Sequence, residues 1–212
     1  MEFTTLAQTI VNILMLSSMY VLAALGFALI LNVLGVLNFA HAAIYTVGGY
    51  LCYIFAVNVG LNVWVAMLVS ALSMGLAGLV LERLFFRPLR GDMNRVVVVT
   101  LALIVILTAG INVTIGAYKR SIPAFMDGII KVGPASISTQ RVATFALGFF
   151  LLGAFWLFLK KTRVGLQMLA IAQDADGAAL QGINVNRISA VTTALGCALA
   201  AVAGRLMGAI LA

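Results

Sequence analysis

Six apolar runs, each long enough or nearly long enough to cross a bilayer, follow one another along this chain. A run of about 18 or more apolar residues reads as a membrane-spanning helix. Such runs leave little choice of fold, because in lipid every backbone polar group must be satisfied within the segment. The 212 residues are 64% hydrophobic and 9% charged. A transmembrane barrel needs strict alternation over roughly 10-residue strands, and the runs here are continuous. The expected fold is all-α, a polytopic transmembrane helical bundle, with one transmembrane domain over 1–212. The spans are placed at roughly 9–35, 42–58, 62–81, 96–116, 142–159 and 188–212.

Basic residues set the orientation. The net charge of +7 comes from residues at the ends of apolar runs, so it is an anchoring signal and does not indicate nucleic acid. Arg83, Arg87, Arg90 and Arg95 lie in one loop, and Lys160, Lys161, Arg163 and Arg187 in another on the same side. The opposite side has Lys119, Arg120, Lys131 and Arg141. The richer side is expected to be cytoplasmic, which puts the N-terminus outside. The outer loop, 117–141, contains Pro123, Gly128, Gly133 and Pro134 and reads as a turn-rich cap. The opening Met1-Glu2-Phe3 lacks the basic stretch of a cleavable signal peptide, so the first run is expected to be retained. The chain closes in an apolar run, which suggests a fragment.

Three features interrupt the apolar pattern. Gly196, Ala200, Gly204 and Gly208 recur every four residues on one face of the last span, where another helix backbone can approach closely. Arg205 lies in the same span, roughly 25 Å beyond Ile188 at 1.5 Å per residue. There it is expected to snorkel to the outer surface, or else to serve the pathway. Between the first two spans lies Leu37-Asn38-Phe39-Ala40-His41, with almost no loop. Asn38 and His41 either cap helix ends or line a path through the membrane, as broken helices do in transporters. The lone histidine has no partners for a metal site. Cys52 and Cys197 fall within spans and read as small core residues.

The third feature is the polar stretch between the last two spans. Asp174 is placed to cap a short helix from about Ala175 to Gln181, with Asp176 in its first turn and Gly182 positioned to end it. Its body is Gly177, Ala178 and Ala179, a smooth surface that suits insertion into a groove on another protein; an ordinary connecting loop is the other reading.

Here the residues resemble a family. The run Thr162-Arg163-Val164-Gly165, then Ala170, Ala172-Gln173-Asp174, Ala178-Ala179 and Gly182-Ile183-Asn184, is similar to the cytoplasmic motif of bacterial branched-chain amino acid ABC transporter permeases. The stretch from Gly35 to His41 resembles that family's first helix break. The resemblance covers most of the chain. It implies an inner-membrane permease subunit, with no cofactor and no enzymatic activity of its own. Its partners would be two cytoplasmic ATP-binding subunits, a second permease subunit that is usually a different chain, a periplasmic substrate-binding protein and membrane lipid, with no nucleic acid. Gln173, Asp174, Ala178, Ala179, Gly182, Ile183 and Asn184 would form the ATPase-coupling element. The cargo would be branched-chain or other small apolar amino acids; urea or short amides are the alternative. Leu166 and Leu169 stand where the family often carries Arg, Ala42 where it has Gly, and Arg205 where an apolar residue is expected. The family usually continues for about two more spans. No Walker phosphate-binding pattern is present. The spans lack the intramembrane acids an ion-coupled secondary transporter would use, and no cluster suits a membrane enzyme.

Overall fold

The computed structural model describes residues 2–115, 128–132 and 135–211. Helix α1 runs Glu2–Leu34 and α2 His41–Tyr53, the latter continued by a π-helical turn over Ile54–Asn58. Helix α3, Val63–Leu81, is likewise extended by a π turn over Glu82–Phe86. Helix α4 spans Met93–Ile115 and α5 Thr139–Lys161. Two short helices follow, α6 (Arg163–Gln173) and α7 (Ala175–Leu180), and then α8 (Val185–Leu211). Every expected span therefore coincides with a helix. Among the described residues, four stretches are long and apolar enough on their own to cross a membrane: Val63–Phe86, Met93–Thr114, Thr139–Lys161 and Val185–Gly208.

Part of the expected turn-rich cap falls within the described residues. Before α5, strands β1 (Ile129–Val132) and β2 (Ala135–Ser138) pair antiparallel, Ile129 opposite Ser138 and Val132 opposite Ala135. The β-branched residues Ile129, Ile130, Val132 and Ile137 favour extended pairing. Residues 116–127 and 133–134, with Lys119, Arg120, Pro123, Gly133 and Pro134, lie outside the described residues.

The bundle is organised around α8, which packs along α1, α2 and α3. More than half of its spanning window is buried (56%), against 11% for α4 and for α5, which therefore lie at the periphery. Lipid tails are as apolar as leucine, so helices in a membrane associate by close packing rather than by hydrophobic exclusion. The small residues supply that closeness. A Cβ at Gly204 would collide with the Tyr45 carbonyl, and one at Gly48 would collide with Ala201. A Cβ at Gly78 would lie 2.8 Å from the Thr193 carbonyl oxygen. Ala200 is fully buried, whereas Gly208 is only half-buried. A 2.6 Å hydrogen bond from Ser70 Oγ to the Gly48 carbonyl fastens α3 to α2 beside the same seam.

Arg205 does not snorkel outward. Its side chain is fully buried and meets the Cys52 side chain in a hydrogen bond. The cause lies one residue earlier: Gly204 draws this turn of α8 against α2, so the next side chain is enclosed by protein. Cys52 is thus more than a space-filling residue, while Cys197 packs with Ile44 and Met74 as expected. At the other end of the bundle, Lys160 Nζ lies 4.8 Å from the Trp156 ring centre. That suits an aromatic and a cation at a membrane interface.

Replacing Gly204 with valine should destabilise the fold by about 1–3 kcal/mol, the usual cost of forcing methyl groups into a packed interior. Gly110→Val, at a site with open space around it, should cost far less. Thermal unfolding of the two variants in detergent tests the contrast.

Candidate coupling segment and intramembrane cavity

The segment from Thr162 to Asn186 is shaped by a series of caps. Thr162 Oγ1 accepts from the Gly165 amide at 3.0 Å and starts α6. Gly165 has no room for a Cβ against Leu159, which lets α6 fold directly back on α5. Met168 and Ile171 complete the buried face of α6. Leu166 and Leu169 lie on its exposed side. The spacing of these buried residues at i, i+3 and i+6 is the helical signal that the sequence carries for α6.

Asp174 ends α6 in an extended conformation and caps α7, its Oδ1 accepting from the Asp176 and Gly177 amides at 3.1 and 3.0 Å. A Cβ at 177 would meet that carboxylate, so a larger residue there would need the Asp174 side chain to shift. At the far end the Gly182 amide donates to the Ala179 carbonyl (2.9 Å) and the Ile183 amide to that of Ala178 (3.1 Å). This is a Schellman ending, with Gly182 at φ +83°. Asn184 Oδ1 then accepts from the Arg187 amide at 3.0 Å and caps α8. The expected helix is therefore present, one residue shorter at its C-terminal end.

These residues divide into two groups. Ala178 is buried against the cluster of Met168, Ile171 and Ile188, and the half-buried Ile183 packs on it, so neither forms the outer surface. Gln173, Asp174, Ala179, Gly182 and Asn184 are exposed. The sequence reading missed Leu180, which is 88% exposed at the tip of α7.

It also missed the clamp that holds this segment to the bundle. The π turn after α3 joins the Arg87 amide to the Glu82 carbonyl and so stacks two side chains five residues apart. Arg87 Nη2 lies 2.9 Å from Glu82 Oε2, and Arg90 Nη2 lies 3.4 Å from Oε1. Arg87 also donates to the Asn186 carbonyl (3.3 Å) and Arg90 to Asn186 Oδ1 (3.0 Å). Glu82 itself is fully buried. Four residues thus lock the end of α3 to the first turn of α8, next to α7.

The helix break forms a second site. His41 lies beside Gly26, where an added Cβ would come within 3.2 Å of the imidazole and 2.7 Å of the Gly196 carbonyl oxygen. Gly26 is eight residues from the end of α1 and Gly196 eleven from the start of α8. At 1.5 Å per residue, His41 is about 12–16 Å in from those ends, near half the depth of a hydrocarbon core about 30 Å thick. The segment 35–40 therefore runs back along α1, and α2 begins inside the bundle. Capping does not explain the polar pair: α2 has no side-chain cap at its N-terminus. His41 Nε2 donates to the Ala23 carbonyl at 3.2 Å, and its ring meets Phe27 edge to face. His41 Nδ1 and both side-chain heteroatoms of Asn38 are buried without a hydrogen-bond partner among the described residues. Both side chains line a cavity of about 590 Å³ with Tyr20, Phe27, Tyr45 and Met207. The coupling residues lie at one end of the bundle and the Asn38–His41 pair deep within it; α8 touches both through Ile188 and Gly196.

The family described as branched-chain amino acid transport system / permease component matches residues 9–212. The chain belongs to this family. The permease is 31% identical to the high-affinity branched-chain amino acid transport system permease protein BraD of Pseudomonas aeruginosa, over 95% of this chain and 70% of that one. It is 29% identical to LivH, the protein of the same description in Escherichia coli K12, over 98% of this chain and 72% of that one. No solved structure matches it. It is a multi-pass membrane protein and a transport permease component.

Replacing Glu82 with alanine leaves Arg87 and Arg90 without their shared carboxylate. Losing one partner of a fully buried pair costs about 3–5 kcal/mol. The arginine side chains here are 37% and 31% exposed, so about 1–3 kcal/mol is expected, as for a disrupted partly buried hydrogen bond to charge. The permease should unfold at lower temperature, and faster hydrogen exchange should appear first in residues 82–90 and 184–190.

Proposed function

We propose that the chain is the membrane-spanning permease subunit of an ATP-driven importer for branched-chain or other small apolar amino acids. The exposed face of α7 docks on a cytoplasmic ATP-binding subunit. Closure of an ATPase pair pulls on α7, and the helices tied to it reorient as rigid bodies to open the cavity to alternate sides. A binding protein outside the membrane delivers the cargo, and a second permease subunit completes the path. The permease itself performs no hydrolysis.

One observation carries this reading: a two-turn helix, capped at both ends and clamped to the bundle through Asn186, presents Ala179, Leu180 and Gln181 outward. Small side chains around one projecting leucine suit a groove in a partner protein. The excess of basic residues in the loops on that side supports a cytoplasmic α7, with the N-terminus outside.

The exposed Ala179 is the position to test, because Ala178 would report on folding. Ala179→Glu should insert and fold normally, fail to co-purify with the ATPase subunits, and reduce ATP-driven leucine uptake by at least tenfold. Uptake that persists in this variant without any ATPase would refute the proposal. An engineered Asp174→Cys should react with an impermeant maleimide only when applied from the cytoplasmic face; reaction from outside would invert the topology and remove α7 from reach of any ATPase.

A further inference from the structure

We infer that Asn38 and His41 form a head-group subsite for the transported molecule, a net-neutral ligand with an apolar body, and specifically an apolar amino acid zwitterion. The inference rests on the importer reading and adds the place where the cargo is held.

The cavity at the start of α2 combines three properties. First, it is built almost entirely of apolar surface: Tyr20, Phe27, Tyr45 and Met207 supply broad walls. Its volume of about 590 Å³ lies within the usual range for a small-molecule site. Second, its polar groups are concentrated in one place and left unsatisfied. Asn38 is 1% exposed and His41 6%; Asn38 Oδ1, Asn38 Nδ2 and His41 Nδ1 find no partner among the described residues. Buried polar atoms in folded proteins are nearly always paired, and an exception calls for an explanation. A carboxamide offers one acceptor and two donor hydrogens, so it matches a ligand bearing both a donor and an acceptor. Third, among the described residues no lining side chain carries a formal charge. An ion with net charge would stay unbalanced there, whereas a zwitterion balances itself.

The orientation follows from α2. Its first turn has no side-chain cap, so the positive end of its dipole is available to an anion. Discontinuous membrane helices use the same device to hold anionic groups of a substrate. The ligand carboxylate therefore sits toward the first turn of α2 and Asn38 Nδ2. The ammonium group donates to Asn38 Oδ1, and the aliphatic side chain lies against Phe27, Tyr45 and Met207.

The native cysteines are both buried, so an engineered thiol gives a clean readout. Ala24 lines the cavity and is itself exposed. In membranes containing the assembled importer, Ala24→Cys should react with a maleimide, and millimolar leucine should slow the reaction at least threefold. Lysine and glutamate should leave the rate unchanged. In the Asn38→Leu, Ala24→Cys double variant, labelling should persist but protection by leucine should disappear. The subsite is overturned if leucine gives no protection in Ala24→Cys alone, if protection survives Asn38→Leu, or if acetamide protects and leucine does not. These outcomes are separate from failure of the importer reading, which is tested by uptake in Ala179→Glu.

Discussion

Close backbone contact along α8 is the constraint on which the rest of the molecule depends. Where lipid offers no hydrophobic incentive to associate, helices stay together by fit. Gly78, Gly48, Gly204 and Gly196 each bring a backbone too near its neighbour to admit a Cβ. The two candidate sites both hang on this seam. Met207 closes one wall of the cavity and Gly196 sits opposite the His41 level, while Ile188 and Asn186 fasten the coupling segment to the same helix. A displacement of α8 at one end has no slack in which to be absorbed, because the interior is already at contact distance.

The fold was legible wherever one residue governs its own neighbourhood. Asp174 and Gly182 identified the ends of α7 correctly, since a cap and a left-handed glycine act over three or four residues. The apolar runs located each long helix to within a few residues, apart from α1, which starts seven residues earlier than expected; α6 was not among them. What could not be read was decided between distant segments. Arg205 looks like an outward-facing cation until Gly204 is seen against Tyr45. Glu82 and Asn186 are 104 positions apart and become neighbours only through Arg87 and Arg90. The hairpin of β1 and β2 was hidden by the turn-forming residues around it.

The family motif takes on a physical meaning in this geometry. Asp174, Gly182 and Asn184, like the backbone bonds of Ala178, set the course of the chain. Asp174 caps α7, Gly182 reverses the backbone, Asn184 restarts a helix, and Ala178 fills the interior. Most of the recognisable pattern therefore builds a shape. Among the exposed side chains that the proposed docking would use, the most prominent, Leu180, was not among those the pattern singled out.

The tip of α7 holds one further consequence. Its outermost residues, Ala179, Leu180 and Gln181, bear no charge, while Asp174 and Asp176 are set back at its base. Attraction between charges weakens as the Debye length contracts from about 10 Å at 0.1 M salt to 3 Å at 1 M. A grip made by a leucine and two small or neutral neighbours does not share that weakness. Under the docking proposed above, an assembly held this way would withstand concentrated salt and come apart instead when a competing apolar surface, such as detergent, occupies the leucine's place.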